Sequence, residues 1–110
     1  MDSPIHFGEG KETSDQIPLT RLVARAVVID VSAKADSNRD YQLTPDDVTA
    51  FEQAHGQIAA GTIVLLRTGR SKKWPDKLAY LGDNTPGDAS KLHFPSFGPD
   101  AARLLVEQRK

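Results

Sequence analysis

The chain has 110 residues, 38% of them hydrophobic and 26% charged, and a formal net charge of −1. Those values describe one small globular domain and exclude a disordered charged tail. With no cysteine, disulfides, thiolate metal sites and cysteine nucleophiles are excluded; with no basic stripe and no apolar run near roughly 20 residues, neither nucleic acid nor a membrane is an expected partner.

The chain opens on MDSPIHF, where Asp2 and His6 flank Pro4. Proline argues against a helix here, and in an extended segment side chains repeat every two residues, so Asp2 and His6 are expected on one face. A carboxylate with imidazoles suits zinc or manganese. The polar first residues do not resemble a signal peptide, which makes the cytoplasm the expected compartment. Residues 8–20, with two glycines and a proline, read as a loop.

RAVVIDVS, residues 25–32, is rich in Val and Ile without strict alternation, the pattern of a strand covered on both faces of a parallel sheet. Residues 33–43 read as polar loop. Thr44 then caps a helix, with Pro45 in its first turn and Asp46 and Asp47 at the positive end of its dipole. Val48, Phe51 and Ala54 or His55 form its apolar face, and Gly56 stops it. GTIVLLRTG, residues 61–69, is a second strand, and the order strand, helix, strand implies a parallel pair with a right-handed crossover.

Residues 70–97 hold several prolines and aromatics and read as a long connection of the kind that forms lids, with a short helix near Asp76–Leu81. A last helix begins at GPDAARLLVEQRK, with Pro99 in its first turn and Ala102, Leu105 and Val106 as its apolar stripe. Two parallel strands and one crossover do not make a stable sheet alone, and the last helix would normally lead into a third strand. The chain is therefore expected to be a single partial domain, cut at both ends.

Several residues carry two readings. His55 near a helix end is more often structural. His93 in KLHFPSF suits loop packing, with substrate contact the rarer use. Arg67, Thr68 and Gly69 follow a parallel strand, where ligands bind, although a strand-terminal arginine is usually structural. Trp74 and Tyr80 are core or lid anchors before they are walls of an aromatic pocket.

MDSPIHF, VVIDVS, LTPDDV, GTIVLLRTGR and FPSFGPDAARLLVEQR, in that order, resemble segments of the cyclase-like metal-dependent amidohydrolase family, of the kynurenine formamidase and isatin hydrolase type. That family's motif reads His-x-Gly-Thr-His-x-Asp-x-Pro-x-His-Phe, and Asp2, Pro4, His6 and Phe7 match its last four fixed positions. The motif's two earlier histidines have no counterpart here, nor do the family's downstream histidine and glutamate. The resemblance implies an α/β fold, a fragment of a swivelling β/β/α domain built on a parallel strand–helix–strand unit. It implies that Asp2 is a ligand of a divalent metal, zinc or manganese, bridging two ions where two are present. It implies that His6 donates and accepts the proton beside the nucleophile. The substrate would be a small amide, N-formylkynurenine-like or cyclic, as in tryptophan catabolism, and the assembly a homo-oligomer. The alternative is a non-catalytic remnant that serves as a binding or assembly module.

Overall fold

The computed structural model describes residues 4–109. Strand β1 (Ala26–Asp30), helix α1 (Ser32–Ser37), strand β2 (Gln42–Leu43), helix α2 (Pro45–His55), strand β3 (Ile63–Arg67), helix α3 (Lys77–Leu81), strand β4 (Ser96–Phe97) and helix α4 (Pro99–Gln108) follow in order, with short 3-10 turns before β1, between β3 and α3, and between α3 and β4. Strands β1 and β3 pair in parallel from Ala26 opposite Ile63 to Asp30 opposite Arg67. A second, smaller parallel pair sets Gln42 and Leu43 of β2 beside Ser96 and Phe97 of β4.

Helix α2 begins and ends where its sequence dictates. The Thr44 hydroxyl accepts the Asp47 amide at 3.2 Å, and the Asp47 carboxylate accepts the Thr44 amide at 2.9 Å. This reciprocal box satisfies two amides that a helix start leaves without partners. Pro45 occupies the first turn, and Gly56 closes the helix with φ of 90°, a conformation that favours glycine.

The core lies on one side of the β1–β3 pair. Val27, Ile29, Val64 and Leu66 face Val48 and Phe51 of α2 and Ala101, Leu104 and Leu105 of α4, with Val31, Leu43 and Ile58 filling the centre. The opposite face is open: Val28 is 50% exposed and Leu65 49%. The expectation that these strands are covered on both faces therefore fails for this chain, because α2 and α4 both pack on the same side. The stripe of α4 is also shifted. Ala101, not Ala102, is fully buried, and Val106 stays 67% exposed. The packed set Ala101, Leu104, Leu105 still keeps helical spacing.

Two polar stretches read as loops contain regular structure. Residues 33–43 hold α1, which buries Ala35 alone, and β2. Residues 70–97 hold α3 and β4. Helix α3 is capped by Asp76, whose carboxylate accepts the Ala79 amide at 2.9 Å, which agrees with the short helix expected near Asp76–Leu81. Arg70 organises the rest. It donates to the carbonyls of Tyr80 and His93 at 2.7 Å each. The Trp74–Pro75 peptide bond is cis.

Candidate functional site

The N-terminal motif forms a 3-10 turn over Pro4–Phe7, not an extended segment. Proline at the start of such a turn lacks only an amide that would have no partner there, so Pro4 is compatible with it. The Ile5 amide donates to the Glu12 carbonyl at 3.2 Å, and the Gly8 amide to the Ile5 carbonyl at 3.3 Å. Glu12 in turn pairs with Arg21 at 3.0 Å. His6 is exposed, with its ring edge-on to Phe7 at 5.1 Å between centroids. Asp2 lies outside the described residues.

The other histidines stand in different surroundings. His55 is exposed at the end of α2, its ring 4.7 Å from that of Phe51. His93 sets its Nδ1 against both oxygens of Asp40, at 2.9 and 2.8 Å, and its amide donates to the Leu81 carbonyl at 3.0 Å. A nitrogen facing a carboxylate carries the proton. His93 therefore pins the long connection to the turn before β2, which is the loop-packing role. Among the described residues, no group of three or more His, Cys, Asp or Glu is placed to hold a metal ion.

The carboxyl ends of β1 and β3 make a polar floor. The Asp30 carboxylate accepts the Ser32 amide at 2.9 Å and the Ser32 hydroxyl at 2.6 Å, and it lies 3.5 Å from Arg67 Nε. The Ser32 bonds, and more weakly Arg67 and Lys72, hold the Asp30 pKa below the usual carboxylate value. A cavity of about 380 Å³ opens beside Arg67, Thr68, Gly69, Ser71 and Tyr80. Such positions bind ligands in parallel sheets. Thr68 is occupied locally, its hydroxyl accepting the Arg70 amide at 3.3 Å, and Gly69 turns the chain with φ of 73°. Trp74 packs edge-to-face on Tyr80 at 5.6 Å and remains 70% exposed. Neither aromatic joins the buried cluster. Asp30, Asp40 and Arg70 are the polar residues that sequence reasoning passed over. Only Asp30 had a local signal, an Asp two residues before a Ser at a strand end.

Among the described residues one carboxylate is buried, beside a cavity that Asp30 and His55 also line. Asp47 accepts from Tyr41 at 2.6 Å and from Thr44, and it pairs with Lys34. Burial raises its pKa, but the bonds from Lys34, Tyr41 and Thr44 outweigh that and leave it well below the ordinary range.

The topology and the N-terminal motif define an α/β protein built on parallel strand pairs joined through helices. The chain belongs to the family described as putative cyclase, whose pattern matches residues 1–109. Isatin hydrolase of Roseibium aggregatum is 35% identical over 113 residues, which cover 99% of this chain and 41% of that protein. Isatin hydrolase A of Labrenzia aggregata, solved with benzyl benzoate bound, superposes with a TM-score of 0.81 at 37% identity over 98% of this chain and 41% of its own. Isatin hydrolase A of Ralstonia solanacearum gives a TM-score of 0.76 at 40% identity over 86% of this chain and 35% of its own. The chain thus spans about two fifths of the length of these relatives. Among its described residues, no helix is long and apolar enough to cross a membrane.

Proposed function

We propose that this chain forms part of a metal-dependent hydrolase of the cyclase family that opens an amide bond. A cyclic amide of the isatin type is the first candidate, and an aryl formamide such as N-formylkynurenine the second. The observation that carries this reading is the 35% identity to an isatin hydrolase over 99% of the chain, with Asp2, Pro4, His6 and Phe7 in the family's motif.

The donor types fit a divalent ion such as zinc or manganese, and their number does not. Asp2 offers a carboxylate and His6 an imidazole, whereas catalytic zinc takes three protein ligands. Among the described residues no group of three such donors is placed to supply the rest. Asp2 would hold the ion. When bound, such an ion lowers the pKa of water toward neutrality, so that hydroxide is available near pH 7. His6 takes the proton of the attacking water and returns it to the departing nitrogen as the carbon–nitrogen bond breaks, a task that suits an imidazole, which can both accept and donate a proton. Its exposure leaves the ring free to meet a substrate, and Phe7 braces one edge of it.

The test places the 110 residues in the Roseibium isatin hydrolase in exchange for the 113 they match. Turnover of isatin and of N-formylkynurenine is measured beside metal content. His6→Ala is expected to lose about 10²–10⁴-fold in rate and keep metal. Asp2→Ala is expected to lose metal and rate together, and His55→Ala to change stability only. Parental turnover in the His6 variant would overturn the assignment. The lack of a three-donor group among the described residues favours a second reading, in which the chain by itself is a non-catalytic binding or assembly module.

A further inference from the structure

We infer that the cavity at the carboxyl end of β3 binds a small aromatic carboxylate, held by Arg67 and Lys72 and seated beside Tyr80. The cavity measures about 380 Å³, toward the lower end of the range of about 300–1,000 Å³ in which small molecules are held. Its wall carries three cations, Arg67, Arg70 and Lys72, the hydroxyls of Thr68, Ser71 and Tyr80 and, among the described residues, no carboxylate.

The charge of these cations is not spent among the described residues. Arg70 is half-buried, and its Nε and Nη2 go to the carbonyls of Tyr80 and His93, so neutral acceptors fix its place and its charge remains. Arg67 approaches Asp30 no closer than 3.5 Å, through Nε, and Asp30 is already engaged by the amide and hydroxyl of Ser32. A guanidinium has five N–H donors in a fork that matches a carboxylate, so Arg67 keeps donors for a ligand. Lys72 is exposed and forms no ion pair among the described residues. The Thr68 hydroxyl accepts the Arg70 amide, which leaves its own proton to donate. Clefts lined by one sign of charge concentrate the opposite ion. The rest of the wall selects among anions. Leu66 and the ring of Tyr80, against which Trp74 packs edge-on, offer an apolar seat to a flat ring and nothing to a phosphate. The inference rests on charge and placement, not on the amide-hydrolase reading, so binding decides it and turnover does not.

The experiment titrates the 110-residue chain with sodium benzoate at constant ionic strength and follows its backbone amide resonances. Saturable shifts centred on residues 68–72 and Tyr80 are expected, with a Kd of about 1 mM, as suits so small a ligand. Acetate is expected to bind at least about fivefold more weakly, because it brings no ring to Tyr80. Arg67→Ala and Lys72→Ala are each expected to raise the Kd for benzoate at least about fivefold. Arg103→Ala removes a cation of α4 outside the cavity wall and is expected to leave the Kd unchanged. The Lys72 side chain is exposed, so its variant keeps the fold and tests the site where loss of Arg67 disturbs β3. A parent chain that shows no saturable shift overturns the inference. So does a Lys72 variant that binds benzoate like the parent, or one no weaker than the Arg103 variant, which would reveal diffuse attraction to any cation. Inorganic phosphate that binds more tightly than benzoate also overturns it, by assigning the cavity to phosphoryl groups.

Discussion

Arg109, at the end of α4, grips Glu52 of α2 with two parallel bonds, Nε to Oε1 at 2.7 Å and Nη2 to Oε2 at 2.8 Å. Glu52 Oε1 also accepts the Ile58 amide at 3.0 Å, so one carboxylate ties two helices to the segment leading into β3. Both side chains are largely buried, at 17% and 12% exposure. Arg109→Ala is therefore expected to cost about 2 kcal/mol, between the value below 1 of an exposed pair and the larger cost of breaking a buried one. Chemical denaturation of the variant beside the parent gives the number; a change within 0.5 kcal/mol, estimated as roughly the surface limit, would show that the clamp is decorative.

The same carboxylate sets an acid limit. Arg109 above all, opposed by burial and helped by the Ile58 amide, holds the Glu52 pKa down to about 2 from 4.5. A depressed acid stabilises the fold above its unfolded pKa and loses that contribution as pH falls through the folded one. The melting temperature is thus expected to fall between pH 4.5 and pH 2. Glu52→Gln should be less stable than the parent near neutrality and should lose less on acidification. Parallel pH profiles for the two proteins would rule Glu52 out as a source of the slope.

Asp47 does more than cap α2, because Tyr41, just before β2, and Lys34 of α1 converge on it. Asp47→Ala removes the reciprocal cap and leaves the Tyr41 hydroxyl without its acceptor, for an expected loss of about 3 kcal/mol. Asp47→Asn retains one acceptor oxygen and should lose less. Equilibrium unfolding of the two variants tests that ordering, and equal losses would mean that the charge alone matters.

Gly82 has φ of 79°, and a Cβ there would sit 2.8 Å from the Cβ of His93. Gly82→Ala is expected to cost more than about 1 kcal/mol and to push His93 away from Asp40. The connection between α3 and β4 should then be cleaved faster in limited proteolysis, as it should in His93→Ala. Unchanged cleavage in both variants would show that the His93–Asp40 contact does not hold the connection.

What the sequence made legible was local. The start of α2 was readable because Thr44, Pro45 and Asp47 act on one another within a single turn. Strands β1 and β3 were readable because their apolar runs are short, rich in Val, Ile and Leu, and, for β3, bounded by Gly61 and Gly69. The elements missed are those whose support is distant. Strand β2 has two residues and exists because β4 pairs with it. His93 meets Asp40 across 53 positions, and no local pattern announces that pair. The turn at Pro4–Phe7 defeated the extended reading because a tie from Ile5 to Glu12 competes with extension. The candidate site was legible as residue types and a motif, while the donors that would complete it are not among the described residues.

That incompleteness gives the last prediction. A metal ion needs several donors fixed together, and each donor must shed its proton or its water to bind. Asp2 and His6 are close in sequence, but His6 is exposed on a short turn, and the described residues bring no third donor group to it. His55 and His93 do not help. The first lies against Phe51 on α2, and the second is committed to Asp40. Calorimetric titration of the 110-residue chain with zinc or manganese is therefore expected to show only weak binding, with affinity far short of micromolar. In the isatin hydrolase graft, metal should be retained through dialysis, and Asp2→Ala should release it. A stoichiometric submicromolar site in the isolated chain would mean that its own residues close the coordination shell. The variants His55→Ala and His93→Ala would then identify the missing ligand.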